Sequence, residues 1–526
     1  MKFARPGIAD QADSMQDDIQ AQTREFLTDP GTHDVSAAEI VVIQTHISFI
    51  VLAGSRAFKL KRAVHLPYVD FSTCSLRLSA CTQELALNRR TAPTVYLAVR
   101  RVTRESDGHL MFDGDGELVD AVVEMTRFDQ DALFDKLAER GKLTESLLGA
   151  LAHAAARFHA DASTGCSVAS QMLPVLEMNE RAFRAVRAFS EQDVSNLNSA
   201  LREAFQRHAA LLDSRARAGK VRRCHGDLHL RNICLIDGAP VFFDCIEFDD
   251  AIATIDILYD LSFLLMDLWR LGLRSAANLV LNRYLDECDE TDGLPLLPFF
   301  MALRASIRAH VSATEAEAGT GVAREKLADE AHAYFSLAAE LLKTVPPHLV
   351  AIGGLSGTGK SALAMQIADR IGPPPGARVL SSDRIRKRLY GVSPETHLPA
   401  DAYLPEISER VYAIQADEAQ KIVADGWGVI ADAVFGRKSD CLRIERTAAE
   451  DSVRFSGLQL VAPPAIMLAR VASRYGNPSD ADVEVVRAQL AQGVCEAGWT
   501  VVQTGASLDA VTERALAAID AATVPN

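Results

Sequence analysis

At 526 residues, with 48% hydrophobic content, the chain is long enough for roughly three or four domain-sized units and several buried cores. Its 55 basic against 70 acidic residues, a formal charge of -15, argue against broad binding to a nucleic-acid backbone or an anionic membrane surface, leaving room only for local basic pockets. Nine scattered cysteines without a C-x-x-C pair read as reduced thiols or small core residues of a cytoplasmic protein, not as a disulfide frame or a zinc ribbon.

The first residues, MKFARPGIADQADSMQDD, carry no apolar stretch after their few positive charges, so no export signal is expected. Ile40 to Ala53 and Arg56 to Arg62 are β-branched or alternating runs separated by Gly54-Ser55, which predicts a hairpin. Helical spacing through Leu78, Leu85 and Ala86 predicts a helix over Ser75 to Arg90, flanked by further strands at Thr94 to Val102 and Leu118 to Arg127. A small sheet with one inserted helix is the outline of a nucleotide-binding lobe, residues 1–127. From 128 to 344 the pattern is mainly helical, with Leu147, Leu151, Ala155 and Phe158 on one face and Leu258, Leu261, Leu265 and Leu268 on another. The apolar stretch Ile255 to Leu273 is interrupted by Asp256, Asp260, Asp267 and Arg270, which marks a buried helix and not a membrane span. Two short runs, Asn232 to Ile236 and Pro240 to Phe243, are joined by the turn signal Asp237-Gly238. Val345-Pro-Pro-His348 reads as a linker, because consecutive prolines disfavour helix before them. Beyond it, strand-like Leu349 to Ile352, helix-like Lys360 to Ile371, and strand-like Arg378 to Leu380 and Gly428 to Ala431 alternate as in parallel α/β domains, over residues 349–526.

Two groups of residues carry chemistry. His225-Gly226-Asp227, Asn232 and Asp244 bracket the predicted hairpin, and Asp227 and Asn232 keep the spacing of the protein-kinase catalytic loop. In that template the first aspartate takes the proton of the attacking hydroxyl, while the asparagine and a later aspartate hold magnesium on the nucleotide phosphates. A metal cluster of His225, Asp227 and His229 is the competing interpretation, but it leaves Asn232 and Asp244 without a role. The segment HGDLHLRNICLIDGAPVFFDCIEFDD, residues 225–250, resembles the aminoglycoside phosphotransferase family, a branch of the protein-kinase-like fold, with glycine at 226 where protein kinases carry arginine. Asp256-Ile-Leu-Tyr-Asp260-Leu resembles the helix that follows in that family. The resemblance implies a strand lysine for the α and β phosphates paired with a glutamate of the inserted helix. Lys61 with Glu84 is the expected pair, with Lys59 two residues away on the same strand face as the alternative. The strand ending at Met125 and Thr126 would then be the hinge that meets adenine. A G-x-G-x-x-G loop is missing before the lysine strand, so the turn Thr45-His46-Ile47-Ser48 would have to cover the phosphates.

The second group is Gly354-Leu-Ser-Gly357-Thr358-Gly359-Lys360-Ser361, a complete G-x-x-x-x-G-K-S between a predicted strand and a predicted helix. Its glycines let backbone amides wrap phosphate, Lys360 reaches the β and γ phosphates, and Ser361 coordinates magnesium. Ser381-Ser382-Asp383-Arg384-Ile385-Arg386 resembles the substrate side of P-loop kinases such as gluconate kinase, chloramphenicol phosphotransferase and polynucleotide kinase. That likeness implies that Asp383 orients or deprotonates an acceptor hydroxyl beside Arg386, that Asp432 stands on the magnesium side, and that Arg470 and Arg474 form a lid. For these two arginines a solvated helix face is the plain alternative. No N-K-x-D motif is present, which favours ATP over GTP.

The whole chain after about residue 35 resembles bacterial bifunctional proteins that fuse an aminoglycoside-phosphotransferase-like domain to a P-loop kinase-like domain. The expected fold is an α+β protein-kinase-like bilobal domain followed by an α/β P-loop domain with a parallel sheet. The expected activity is ATP- and Mg2+-dependent phosphotransfer to hydroxyls of small molecules, without nucleic-acid or membrane partners. The alternatives are a nucleotide-sensing ATPase domain controlling its neighbour, and a protein kinase.

Overall fold

The computed structural model describes residues 20–45, 47–66, 69–165, 172–473, 479–492 and 498–521. By contacts the chain forms two compact units, one of residues up to 171 with 213–261, the other of 172–212 with 262 onward.

The first unit opens with helix α1 (Ala21–Thr28) and the single turn α2 (Pro30–His33), followed by the meander of β1 (Ile40–Gln44), β2 (Ser48–Ala53) and β3 (Arg56–Lys61). The run expected to be one strand from Ile40 to Ala53 is therefore broken. Thr45 N–H donates to Ser48 O at 2.9 Å and Ser48 N–H to Thr45 Oγ1 at 3.0 Å, so a threonine side chain closes the turn without help from glycine or proline. A small flap, β4 (His65–Leu66) with β5 (Val69–Asp70), leads into α3 (Cys74–Asn88), whose N-terminus is capped by the Thr73 side chain accepting from Leu76 N–H. Strands β6 (Tyr96–Arg104), β7 (Leu110–Phe112) and β8 (Glu117–Thr126) complete an antiparallel sheet in the order β1-β2-β3-β8-β6-β7. Period-two alternation sorts its two faces: Leu52, Ala57, Ala121 and Val123 pack with Cys81 and Leu85 of α3, and Phe49, Val51, Phe58, Leu60 and Val122 pack with Leu27 of α1.

Helices α4 (Phe134–Glu139), α5 (Glu145–Asp161), α6 (Met172–Ala185) and α7 (Glu191–Arg217) follow, then β9 (Val221–Arg223) and the hairpin of β10 (Ile233–Ile236) and β11 (Ala239–Phe242). On α5 the buried face is Leu148, Leu151, Ala152, Ala155, Ala156, Phe158 and His159, so Leu151, Ala155 and Phe158 lie on it as expected while Leu147 is only half-buried and Leu148 takes its place. The hairpin turn is the expected one: Asp237 and Gly238 have φ of 51° and 79°, the positive pair that a two-residue connection requires. After α8 (Asp250–Ala253), β12 (Thr254–Asp256) pairs with β9 and runs into α9 (Ile257–Arg270), where Leu258, Leu261, Leu265 and Leu268 are fully buried. Among the described residues no helix is long and apolar enough to cross a membrane.

In the second unit α10 (Arg274–Glu287) precedes α11 (Leu297–Ala318) and α12 (Gly321–Leu341), which pack against each other. The α/β part consists of β13 (His348–Gly353), α13 (Lys360–Ile367), β14 (Arg378–Ser381), α14 (Ser382–Leu389), α15 (Pro405–Ala424), β15 (Val429–Asp432), α16 (Lys438–Glu450), β16 (Arg454–Val461), α17 (Pro464–Ala472), α18 (Val483–Gln492), β17 (Thr500–Gln503) and α19 (Leu508–Ala521). Its five strands are all parallel, in the order β14-β15-β13-β16-β17. Helices cover both faces, so β13 is buried at every position and reads as a continuous apolar run. Val350, Ile352, Ile430 and Leu458 meet Leu363 and Ile367 of α13 and Val511 and Ala515 of α19 in one core. The helix expected to reach Ile371 ends at Ile367, and a 3-10 turn, Ala368–Arg370, replaces its last turn. The diproline Pro346-Pro347 lies between α12 and β13, yet α10, α11 and α12 share a compact unit with the parallel sheet.

Candidate active sites

On β3, Lys59 and Lys61 leave the strand on the same side, toward α3. Lys59 Nζ meets Glu84 Oε1 at 2.8 Å and also contacts Asp244 Oδ1, while Lys61 Nζ meets Glu84 Oε2 at 2.5 Å and also contacts Glu247 Oε1. The Lys61–Glu84 pair anticipated from the sequence is present, but only Lys59 goes on to Asp244. Loss of water works against ionisation of Glu84 and Asp244, and the two ammonium groups outweigh it, holding both carboxyls below the usual range. For Glu247 burial prevails over Lys61, and its carboxyl lies above the usual range.

The loop that carries Asp227 is fixed from behind. Gly226 has φ of +86°, and a Cβ there would stand 3.0 Å from Ile246 Cδ1 and 3.1 Å from Ala253 Cβ, which accounts for glycine at this position. Fully buried Asp260 accepts Gly226 N–H at 2.8 Å and His225 N–H at 3.2 Å, and lies 3.1 Å from His159 Nε2. His225 Nε2 bonds Phe243 O at 2.9 Å and its Nδ1 accepts Asp227 N–H at 3.3 Å, so both ring nitrogens serve the backbone and the His225 metal cluster lacks a ligand. Asn232 Nδ2 donates to Asp227 O and Asp227 Oδ2, each at 3.0 Å, and His229 Nε2 lies 3.3 Å from Asp227 Oδ2. Asp244 adopts φ of 64°, a strained conformation for a non-glycine residue of the kind that concentrates at functional sites. It is held by Tyr96 OH, which accepts its N–H at 3.1 Å, and by the next amide, Cys245 N–H, donating to Asn88 Oδ1 at 2.8 Å.

These residues suit a magnesium ion. Asp227 stands close enough to Asp244 to disfavour its charge, a repulsion that a divalent cation would relieve. Asn232 spends its amide nitrogen on Asp227, and its Oδ1 is an oxygen of the kind hard cations take. Met125 is a different matter: it stands opposite Ala57 on one side and Tyr96 on the other, and Thr126 and Arg127 N–H donate to Val95 O and Ser55 O at 2.8 and 2.9 Å. The strand backbone is thus paired on both edges at Met125, whose side chain packs in a core with Phe128 and Phe243. The strand expected to meet adenine through its backbone is therefore already paired at Met125.

In the second unit the phosphate loop connects β13 to α13 where the strand order reverses, since β13 sits between β15 and β16. Gly354, Gly357 and Gly359 have φ of +141°, +88° and +94°, and a Cβ at Gly354 or Gly357 would stand 2.7 Å from Leu460 O or Met467 O. Thr358 Oγ1 caps the turn on Leu355 O at 2.8 Å, and Lys360 Nζ lies 3.2 Å from the same carbonyl. Ser361 Oγ donates to Asp432 Oδ2 at 2.6 Å. Asp432 is 3% exposed, and burial pushes its carboxyl above the usual range against the pull of Lys360. A buried carboxylate beside a hydroxyl, facing a phosphate loop, fits a magnesium ion that would offset that desolvation.

A cavity of about 910 Å³ joins the phosphate loop to Asp383, Arg386, Asp432 and Arg470. Arg470 is no solvated face: its guanidinium donates to Gly357 O, Thr358 O and Thr504 O at 3.4, 3.3 and 2.8 Å. Arg386 is likewise fixed, donating to Ala402 O at 2.6 Å and Ser408 Oγ at 3.4 Å and stacking 4.6 Å from the centre of the Tyr403 ring, while its buried Nε finds no partner among the described residues. Asp480 closes the far wall, taking Lys387 Nζ at 2.5 Å, Tyr403 OH at 2.5 Å and Leu398 N–H at 3.0 Å. Arg474 and His46 lie outside the described residues.

The structure adds Asp260, Glu247, Tyr96, Lys387 and Tyr403 to the residues expected from the sequence. Glu247 carries a sequence signal, a lone acid in the apolar run Cys245-Ile246-Glu247-Phe248, and so does Asp260 within its leucine stripe. Tyr96, Lys387 and Tyr403 carry none, because each acts through partners far away in the chain.

Residues 82–297 match a family model described as phosphotransferase enzyme family, and residues 349–494 one described as AAA domain. An uncharacterised protein of Mycobacterium tuberculosis H37Rv, Rv2004c, is 29% identical over 486 residues, covering 90% of this chain and 93% of its own. Among solved structures, a choline kinase from Cryptosporidium parvum Iowa II is similar at 11% identity over 61% of this chain and 95% of its own, with a TM-score of 0.38. A gluconokinase from Sinorhizobium meliloti 1021 is similar at 19% identity over 34% of this chain and 94% of its own, with a TM-score of 0.25.

Proposed function

This chain joins a domain of the phosphotransferase enzyme family to an AAA-type P-loop domain, and on that footing we propose that it holds two ATP sites, each transferring the γ-phosphate of ATP to a hydroxyl of a small molecule with the help of magnesium. The observation that carries this reading is Lys59 bridging Glu84 and Asp244 beside the Asp227–Asn232 pair. A cation tied to the inserted helix on one side and to a metal-side carboxylate on the other is the arrangement that grips nucleotide phosphates in kinase folds. Lys59 therefore takes the phosphate role, and Lys61, turned to Glu247, supports it.

At the first site Asp227 accepts the proton of the acceptor hydroxyl as its oxygen bonds to the γ-phosphorus, and the bond from that phosphorus to the β-phosphate oxygen breaks to release ADP. Asn232 and Asp244 would hold magnesium, which when bound neutralises charge on the phosphate oxygens. At the second site Lys360 and the loop amides grip the phosphates, Ser361 and Asp432 would hold the metal, Asp383 takes the acceptor proton, and Arg470 and Arg386 supply fixed positive charge. The charge of -15 favours a small-molecule partner over nucleic acid or membrane, and unpaired cysteine spacing favours the cytoplasm.

The test is incubation of the full chain with γ-labelled ATP, magnesium and a metabolite extract, comparing unaltered protein with Asp227→Asn and Lys360→Ala by mass spectrometry. Each variant is expected to lose one set of phosphorylated small molecules and keep the other. The two-site reading fails if neither variant loses any product.

A further inference from the structure

β14 is an edge strand of the parallel sheet, and the helix that begins directly after it, α14, bears Asp383 and Arg386. Edge strands expose unpaired backbone groups that must be covered or hydrated. Here the cover is α10. Asn282 Oδ1 accepts Val379 N–H at 2.7 Å and its Nδ2 donates to Ala377 O at 3.0 Å, so one side chain bonds the strand as a neighbouring strand would. Asn278 Nδ2 donates to Ala377 O at 3.0 Å and Pro375 O at 3.2 Å. Both asparagines are essentially inaccessible to solvent.

One turn further along α10, Asp286 pairs with two arginines of the P-loop domain. Its Oδ1 lies 2.8 Å from Arg378 Nη1 on β14, and its Oδ2 lies 2.9 Å from Arg384 Nη1 on α14. Arg378 also donates to Asn282 O at 3.1 Å and Asn282 Oδ1 at 3.2 Å, which ties the two anchor points together. Arg384 does not line the cavity, whereas its neighbours Ser382, Asp383 and Arg386 do. In a helix of eight residues, successive side chains point about 100° apart, so the ion pair on the outer side sets which way the cavity side faces. Yet α10 belongs to the segment matched by the phosphotransferase family model, which runs to residue 297.

We infer that Asp286 is a positioning residue of the P-loop site: through Arg384 it holds α14, and with it Asp383 and Arg386, in the orientation that transfer requires. The helix from the phosphotransferase-family segment is then a working part of the second site, and the two family domains are not separable at residues 345–348. This inference rests on the proposal that the P-loop domain transfers phosphate.

The test uses the full chain carrying Asp227→Asn to silence the first site, with Asp286 kept or changed to Asn or Glu. Two readouts are taken: amide hydrogen exchange by mass spectrometry, and release of labelled phosphate from γ-labelled ATP with water as acceptor. Asp286→Asn is expected to speed exchange over 382–389 by roughly tenfold or more while 354–363 is unchanged, and to lower kcat by roughly ten- to a hundredfold with the KM for ATP within about twofold. Asp286→Glu should recover part of both. Unchanged exchange over 382–389, exchange rising across the whole sheet, or kcat and KM for ATP moving together would each overturn the inference. Absence of any Lys360-dependent labelling of a metabolite extract by the protein with Asp286 kept would instead overturn the phosphotransfer reading, and the exchange result would still decide whether Asp286 holds α14.

Discussion

Lys59 and Lys61 show how little separates two residues of the same type on one strand face. Both touch Glu84, but Lys59 continues to Asp244 and Lys61 to Glu247, and it is on this second partner that the proposed roles differ. Lys59→Met is expected to lower Asp227-dependent turnover by roughly a hundredfold or more, in line with removal of one fixed donor to transferring phosphate, and with a small change in melting temperature, because Glu84 keeps Lys61 and the Asp244 side chain is 42% exposed. Lys61→Met leaves Glu247 buried without its cation, and breaking a buried pair in this way costs about 3–5 kcal/mol, so it should appear chiefly as a lower melting temperature. Turnover of γ-labelled ATP and thermal unfolding, measured on both variants, separate the two roles; equal loss of turnover at similar stability would contradict them. Period-two alternation makes the lysines equivalent in the sequence. Their difference depends on Asp244, which is 185 positions away from Lys59.

Elements were legible where their ends are chemically marked. The β10–β11 hairpin follows from Asp237-Gly238, because only such residues adopt two successive positive φ values cheaply. The break between β1 and β2 falls at the turn Thr45 to Ser48, which carries no glycine or proline and is closed by an ordinary Thr45 side-chain hydrogen bond. The end of α13 at Ile367 was likewise unmarked, with the first glycine only at 372. At this scale α10 is the element whose polar residues matter most. Asn282→Leu keeps volume but strands Val379 N–H and removes the donor to Asn278 Oδ1, while Ala377 O retains Asn278, so the expected loss is at least the roughly 1–3 kcal/mol of one buried unsatisfied donor. Denaturant unfolding followed by Trp427, which is buried next to Gly376, reads this directly; a change below about 0.5 kcal/mol would mean that β14 does not depend on Asn282.

For the molecule as a whole, the proposed function predicts two nucleotide sites per chain, one at each cluster. Equilibrium titration with a non-hydrolysable ATP analogue and magnesium should show two sites in unaltered protein, one in Lys360→Ala and one in Lys59→Met; a single site throughout would leave one cluster without a nucleotide. The core of each cluster is legible in the sequence, because residues 225–244 and 354–361 are compact patterns whose glycines and polar side chains sit at set spacings. So are the antiparallel and parallel sheets, since alternating and continuous apolar runs differ in how many faces of a strand are covered. Which lysine reaches Asp244, that Met125 packs into a core, that Arg386 and Arg470 donate to backbone carbonyls, and that α10 shares a compact unit with the P-loop sheet became visible only in three dimensions. The physical reason is range. Turn, strand and phosphate-loop chemistry is decided within a few residues by dihedral angles and local amides. A buried ion pair or a buried asparagine is decided by the partner that the fold delivers from tens or hundreds of positions away.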